Sequence, residues 1–157
     1  MTVADSELRA GLEAALGVRR WVAEVAGLAP FRDLDELLDA ARTAATPLSP
    51  SEIDEALAQH PRIGENPAGS DASAALSRAE QGDATELAEE LAAGNAAYEE
   101  RFGRVFIIRA AGRSRAEILA ELERRLQLDD ATELSIAAEQ LRDIALLRLQ
   151  RLFGAAS

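Results

Sequence analysis

One histidine and no cysteine in 157 residues leave few side chains able to move a proton near neutral pH. The histidine sits in Gln59-His60-Pro61-Arg62-Ile63-Gly64-Glu65. A residue that precedes proline is pushed out of the α region by the pyrrolidine ring, so His60 is expected to close the helix that begins near Ser49. An imidazole at a helix C-terminus meets the negative end of the dipole, which favours its protonated form and suits it to donating a proton. The plainer alternative is a histidine that only caps the last carbonyls.

Downstream, Ser77, Glu80 and Gln81 stand at i, i+3 and i+4, so a helix would project all three from one face. A hydroxyl, a carboxylate and an amide on one strip can orient an imidazole and bond a polar heterocycle; the alternative is an ordinary solvated strip. Near the C-terminus, Leu134, Ala137, Leu141, Ile144, Arg148 and Leu152 keep helical spacing, which places a guanidinium on an apolar stripe. A buried arginine needs an anion from the protein or a ligand. A second register through Ala138, Arg142, Ala145, Leu149 and Leu152 would turn Arg142 inward instead, and snorkelling from a core edge is open to either arginine. The pairs Arg19-Arg20 and Arg124-Arg125 are expected to be exposed helical bases.

The rest of the composition bounds what can position these groups. The chain is long enough for one domain that buries roughly 70% of its unfolded surface. Its side chains are 48% apolar but only 4% aromatic, so the core is expected to be aliphatic and helical. The net charge is −11, and all 17 bases are arginine. Such a surface repels phosphate backbones and anionic lipid, which argues against nucleic-acid or membrane-surface partners. Without cysteine, disulfides and thiol catalysis are excluded, and with a single histidine no zinc site is expected. No apolar run of membrane-spanning length or secretory signal pattern is present, so a cytoplasmic protein is expected.

Helix starts recur as capping pairs: Asp33 with Glu36, Ser49 with Glu52 behind Pro50, Asp83 with Glu86, Ser114 with Glu117, and Asp130 with Glu133. Together with the apolar spacing they predict helices near 5–16, 18–27, 33–45, 50–59, 72–81, 84–101, 115–127 and 131–153. The expected fold is therefore all-α, an irregular single-domain bundle of about eight helices spanning 1–157. Val105-Phe106-Ile107-Ile108 is β-prone but too short and isolated for a sheet, and reads as an extended connector or a helix end. The segment 61–70 holds two prolines and two glycines, the longest break, and loops between rigid helices commonly display catalytic groups.

In order and spacing, His60-Pro61-Arg62-Ile63-Gly64-Glu65, Ser77-x-x-Glu80-Gln81, Asn95-x-x-Tyr98, Phe102-Gly103-x-Val105-Phe106-Ile107-Ile108 and Gln140-x-x-x-Ile144-x-x-x-Arg148-Leu149 resemble the 2-oxo-4-hydroxy-4-carboxy-5-ureidoimidazoline (OHCU) decarboxylases of urate breakdown. The resemblance runs from about Leu34 to Leu152. It implies an all-α fold, no cofactor and no metal, a small-molecule ureidoimidazoline substrate, and (S)-allantoin as product. His60 would match the catalytic histidine and Glu80 its partner carboxylate. Ser77 and Gln81 would contact substrate, Pro61 would shape the histidine turn, and Arg148 would bind the substrate's anionic or carbonyl oxygens. Phe106, Ile107 and Ile108 would offer backbone donors and acceptors to the ureido group or ring edge. Arg104 departs from the family's apolar residue after Phe-Gly, and Arg62, Glu65 and Asn66 vary the histidine loop.

The chemistry implied is modest for a protein, since the conjugated ring itself can accept the electron pair that carbon dioxide leaves behind. Two other readings stand beside it: a non-enzymatic all-α interaction module with an exposed apolar stripe, and a different lyase or hydrolase acting on another ureido compound. A homodimer, and association with other enzymes of urate breakdown, are left open by these residues.

Overall fold

The computed structural model of the chain describes residues 2–58 and 87–154. Within them lie seven helices and no strand: α1 (Asp5–Ala15), α2 (Arg19–Ala26), α3 (Leu34–Ala44), α4 (Pro50–Leu57), α5 (Ala88–Phe102), α6 (Arg115–Arg125) and α7 (Asp130–Phe153). The expected all-α bundle is what forms. The helix expected near 72–81 and the Asp83–Glu86 pair fall outside the described residues.

Capping chemistry sets most of the starts. Ser49 and Ser114 make complete boxes: each hydroxyl takes the N–H of Glu52 or Glu117, and each glutamate returns a bond to the serine N–H. Asp33 accepts from Glu36 N at 2.9 Å. The pair expected at Asp130 and Glu133 is corrected. Asp129 caps α7 by accepting from Thr132 N at 2.7 Å, because the Glu133 carboxylate is buried and engaged elsewhere.

The main core gathers aliphatic side chains of α1 to α4 around α7, which packs against α1, α3 and α4. Trp21 is fully buried there, and its indole N–H donates to Ala41 O at 2.9 Å, tying α2 to α3 without leaving a buried donor unmet. Glu52 both closes its capping box and takes a two-point bond from Arg20 (2.8 and 3.1 Å), while Arg20 also reaches Ala44 O at 2.7 Å. Arg20, expected to be an undistinguished exposed base, therefore links α2, α3 and α4 although its side chain keeps 44% of its exposure.

Along α7 the stripe through Ala137, Leu141, Ile144 and Arg148 is the buried one, with Ala145 and Leu149 beside it and Arg142 half-buried. Leu152, on both expected registers, is corrected to an exposed position, and Phe153 takes the inward place. The helical period alone would keep Leu152 on the face of Leu134, five turns of 3.6 residues earlier; packing at the end of the bundle, where the Phe153 ring meets α1, decides otherwise. The Phe153 ring lies so close to α1 that a methyl at Gly11 would come within 2.4 Å of it.

A second, smaller core forms between α5 and α6 from Leu91, Tyr98, Phe106, Ile108, Ala110, Ile118 and Leu122. Gly103, with φ +73°, ends α5 in the left-handed region that glycine adopts without a Cβ penalty, and starts the connector 105–110, which is neither helix nor strand. Its side chains alternate: Phe106 and Ile108 enter the small core while Ile107 enters the main one. The β-prone run thus acts as an extended connector, its period of two serving two cores at once.

Candidate functional site

A connector without a hydrogen-bond ladder must have its backbone held by something else. Here side chains do it. Arg125 Nη1 donates to Ile107 O at 2.8 Å, and Gln140 Oε1 accepts from Arg109 N at 2.8 Å. The two contacts bracket Ile108 from α6 on one side and α7 on the other.

Arg125 is the larger surprise, because the sequence pointed to an exposed helical base. Its side chain is fully buried, and that of Glu133 is 1% exposed. Arg125 Nε reaches both Glu133 oxygens at 2.9 and 3.0 Å, Nη2 also bonds Oε1, and Tyr98 Oη donates to that same Oε1 at 2.5 Å. The guanidinium carbon stands 4.5 Å from the Phe106 ring centroid, a cation–π arrangement. Tyr98 meets Phe106 edge-on at 5.2 Å. The charge is therefore compensated on every side, as burial of a guanidinium demands. Burial first, and then the bond to Glu133, push the Tyr98 phenol well above its ordinary range, while Arg125 acts in the other direction.

Arg148, the cation expected to face a ligand, is 1% exposed near the C-terminal end of α7, and its Nη1 donates to Ala14 O at 3.0 Å, close to the end of α1. Arg142 is half-buried and gives Ala45 O a 3.3 Å bond. Of the two registers, the structure turns Arg148 inward. Phe106, Ile107 and Ile108 are buried in the connector. His60, Pro61, Ser77, Glu80 and Gln81 lie outside the described residues.

A cavity of about 600 Å³ opens where α1, α2 and the end of α4 meet, lined by Glu13, Val18, Arg19, Val22, Glu55 and Ala58 among others. One of about 110 Å³ lies beside the buried network, against Phe102, Arg104, Asp130, Glu133 and Leu134. Arg104, the departure noted after Phe-Gly, points its Nε toward Asp54 of α4 at 3.9 Å.

Sequence reasoning missed Arg125 and Glu133 as a pair, and it quoted Tyr98 and Gln140 without a task. A signal was present. Ile118, Leu122 and Arg125 stand at i, i+4 and i+7 on the face of α6 that is buried, the same kind of cation on an apolar stripe that singled out Arg148.

Residues 2–150 match the family described as OHCU decarboxylase. A 2-oxo-4-hydroxy-4-carboxy-5-ureidoimidazoline decarboxylase of Haloferax volcanii is 33% identical over 137 residues, covering 85% of this chain and 82% of that protein. The uric acid degradation bifunctional protein TTL of Arabidopsis thaliana is 38% identical over 107 residues, 64% of this chain; the match spans only 33% of that longer protein. Among solved structures, an OHCU decarboxylase crystallised in the presence of (S)-allantoin superposes with a TM-score of 0.78 at 28% identity, over 92% of this chain and 98% of that one. An (S)-allantoin synthase shares the fold, with a TM-score of 0.66 at 23% identity over 96% of this chain and 51% of that one. The chain belongs to the OHCU decarboxylase family.

Proposed function

We propose that this chain is a cofactor-free carboxy-lyase that converts 2-oxo-4-hydroxy-4-carboxy-5-ureidoimidazoline to (S)-allantoin in urate breakdown, acting in the cytoplasm. The observation that carries the reading is the family match across residues 2–150. The inward guanidinium of Arg148 supports it, since an acidic protein that binds a carboxylate needs a sheltered cation.

The bond from the ring carbon to its carboxylate breaks and carbon dioxide leaves. Its electron pair forms the ring C=C as the C=N pair moves onto nitrogen, which takes a proton. The resulting enol gives up its hydroxyl proton and gains one at the ureido-bearing carbon, leaving the allantoin carbonyl. The net change is one proton in and one carbon dioxide out. Arg148 holds the anionic group so that the breaking bond aligns with the ring π-system. His60, oriented by Glu80, moves the hydroxyl proton or delivers the stereospecific one, a general acid–base contribution of about 10²–10⁴ in rate. Ser77, Gln81 and the turn at Pro61 position the heterocycle, and the backbone of Phe106, Ile107 and Ile108 meets the ureido group or ring edge.

The interaction-module reading has less behind it. Among the described residues the exposed large apolar side chains are Leu28, in the turn after α2, and Leu152, in α7, so they form no helical row. The deciding experiment is His60→Asn, followed by circular dichroism on freshly generated substrate, which decays spontaneously to racemic product. Loss of optically pure allantoin is expected; the parental rate and optical purity in that variant would remove His60 from the chemistry.

A further inference from the structure

We propose that Arg125 and Gln140 are positioning residues for this reaction: from two helices they pin the Ile107 carbonyl and the Arg109 N–H, and so fix the Ile108 peptide that meets the substrate. The inference rests on the decarboxylase reading above and on the role that reading gives the connector. Neither residue needs to touch substrate.

Three observations converge on it. First, the connector is neither helix nor strand, so the aim of its peptide groups depends on these anchors. Second, the arrangement around Arg125 is more elaborate than packing requires. Glu133 occupies Nε and Nη2, which leaves Nη1 for the Ile107 carbonyl, and Tyr98 holds Glu133 in place through Oε1. A buried ion pair is often no more stable than apolar side chains of similar volume, so its orienting effect on the carbonyl is the property that an apolar substitute would lack. Third, the anchors hold one group on each of the two peptide planes that flank Ile108, whose own side chain is buried in the small core between them.

The test uses the full-length protein, the triple variant Tyr98→Phe/Arg125→Met/Glu133→Leu, which replaces the network by apolar groups, and Gln140→Met at a half-buried site. Amide hydrogen exchange at Ile108, KM, kcat and the optical purity of allantoin are measured for each, with circular dichroism confirming helix content. In both variants the Ile108 amide is expected to exchange about tenfold faster or more, with kcat/KM down by about tenfold or more and optical purity reduced, because a misplacement on the ångström scale is enough to lose that much. Unchanged exchange at Ile108, or loosened exchange with parental KM, kcat and optical purity, overturns the proposal. Should the triple variant fail to fold, Gln140→Met decides by the same criteria. Turnover by the parent is read first: a parent that makes no allantoin overturns the decarboxylase reading, whereas parental kinetics in loosened variants overturn the positioning role alone.

Discussion

Arg125 and Glu133 face each other across the turn between α6 and α7, eight residues apart, with side chains 0% and 1% exposed. The pair joins the helix ends, and through Nη1 and Tyr98 it joins them to the connector and to α5. Four elements thus meet at one carboxylate and one guanidinium.

Removing one partner should be far worse than trimming the periphery. Arg125→Ala leaves the Glu133 carboxylate buried without its cation and is expected to cost about 3–5 kcal/mol. Tyr98→Phe removes one donor to a carboxylate that keeps its arginine, and should cost about 1–2 kcal/mol. Urea denaturation of the two variants checks the order; equal midpoints would mean that the ion pair adds nothing beyond the phenol.

Tyr98 is the sole tyrosine, so phenolate absorbance reports it alone. Because burial and Glu133 disfavour the phenolate and push its pKa up, the folded protein should show no phenolate at about pH 11, where an ordinary tyrosine is largely ionised. The denatured chain should ionise near 10.0, the unperturbed value. The sign for stability follows: this contribution is complete below about pH 10 and fades as pH rises toward the folded-state value.

Acid should act at a different place. Glu52 titrates at about 2 rather than 4.5, first because of the Arg20 bond and then because of the Ser49 N–H. Its contribution is present above pH 4.5 and is lost as pH falls toward about 2. It amounts to roughly 1 kcal/mol, since Arg20 keeps water contact. Glu52→Gln should flatten the acid limb of the stability curve in this window, measured by denaturant midpoints between pH 5 and pH 2.5; an unchanged limb would refute the assignment.

The two arginines of α7 separate kinetically. If Arg148 holds the substrate anion as proposed, Arg148→Gln is expected to raise KM or lower kcat by about tenfold or more, through loss of a charge-assisted contact. Arg142→Gln, which removes a 3.3 Å bond to Ala45 O, should leave both near parental values. Steady-state kinetics on the pair decide it, and the reverse ranking would hand the anion to Arg142.

How much of this was legible varies with the physics involved. Ser49, Ser114 and Asp33 announced their helices because a cap is a local device, spelled out within four residues. Arg148 was legible as a cation on an apolar stripe, although only packing against α1 chose it over Arg142. The capping pair expected at Asp130 and Glu133 failed for a single reason: a carboxylate that could cap its own helix was claimed by an arginine on another, and no window of sequence shows which acceptor a long side chain will choose. Arg125 was lost the same way. The motifs carrying Tyr98 and Gln140 were visible, but their contacts became readable only when the connector between them had a path through space.

The alternation of the connector, with Ile107 turned to one core and Phe106 and Ile108 to the other, has a mechanical implication. The two hydrophobic compartments share a single three-residue hinge pin, so expanding or shrinking either one levers the same peptide. Repacking intended to stabilise the bundle around α7 should therefore shift turnover even where every altered side chain is distant from bound substrate.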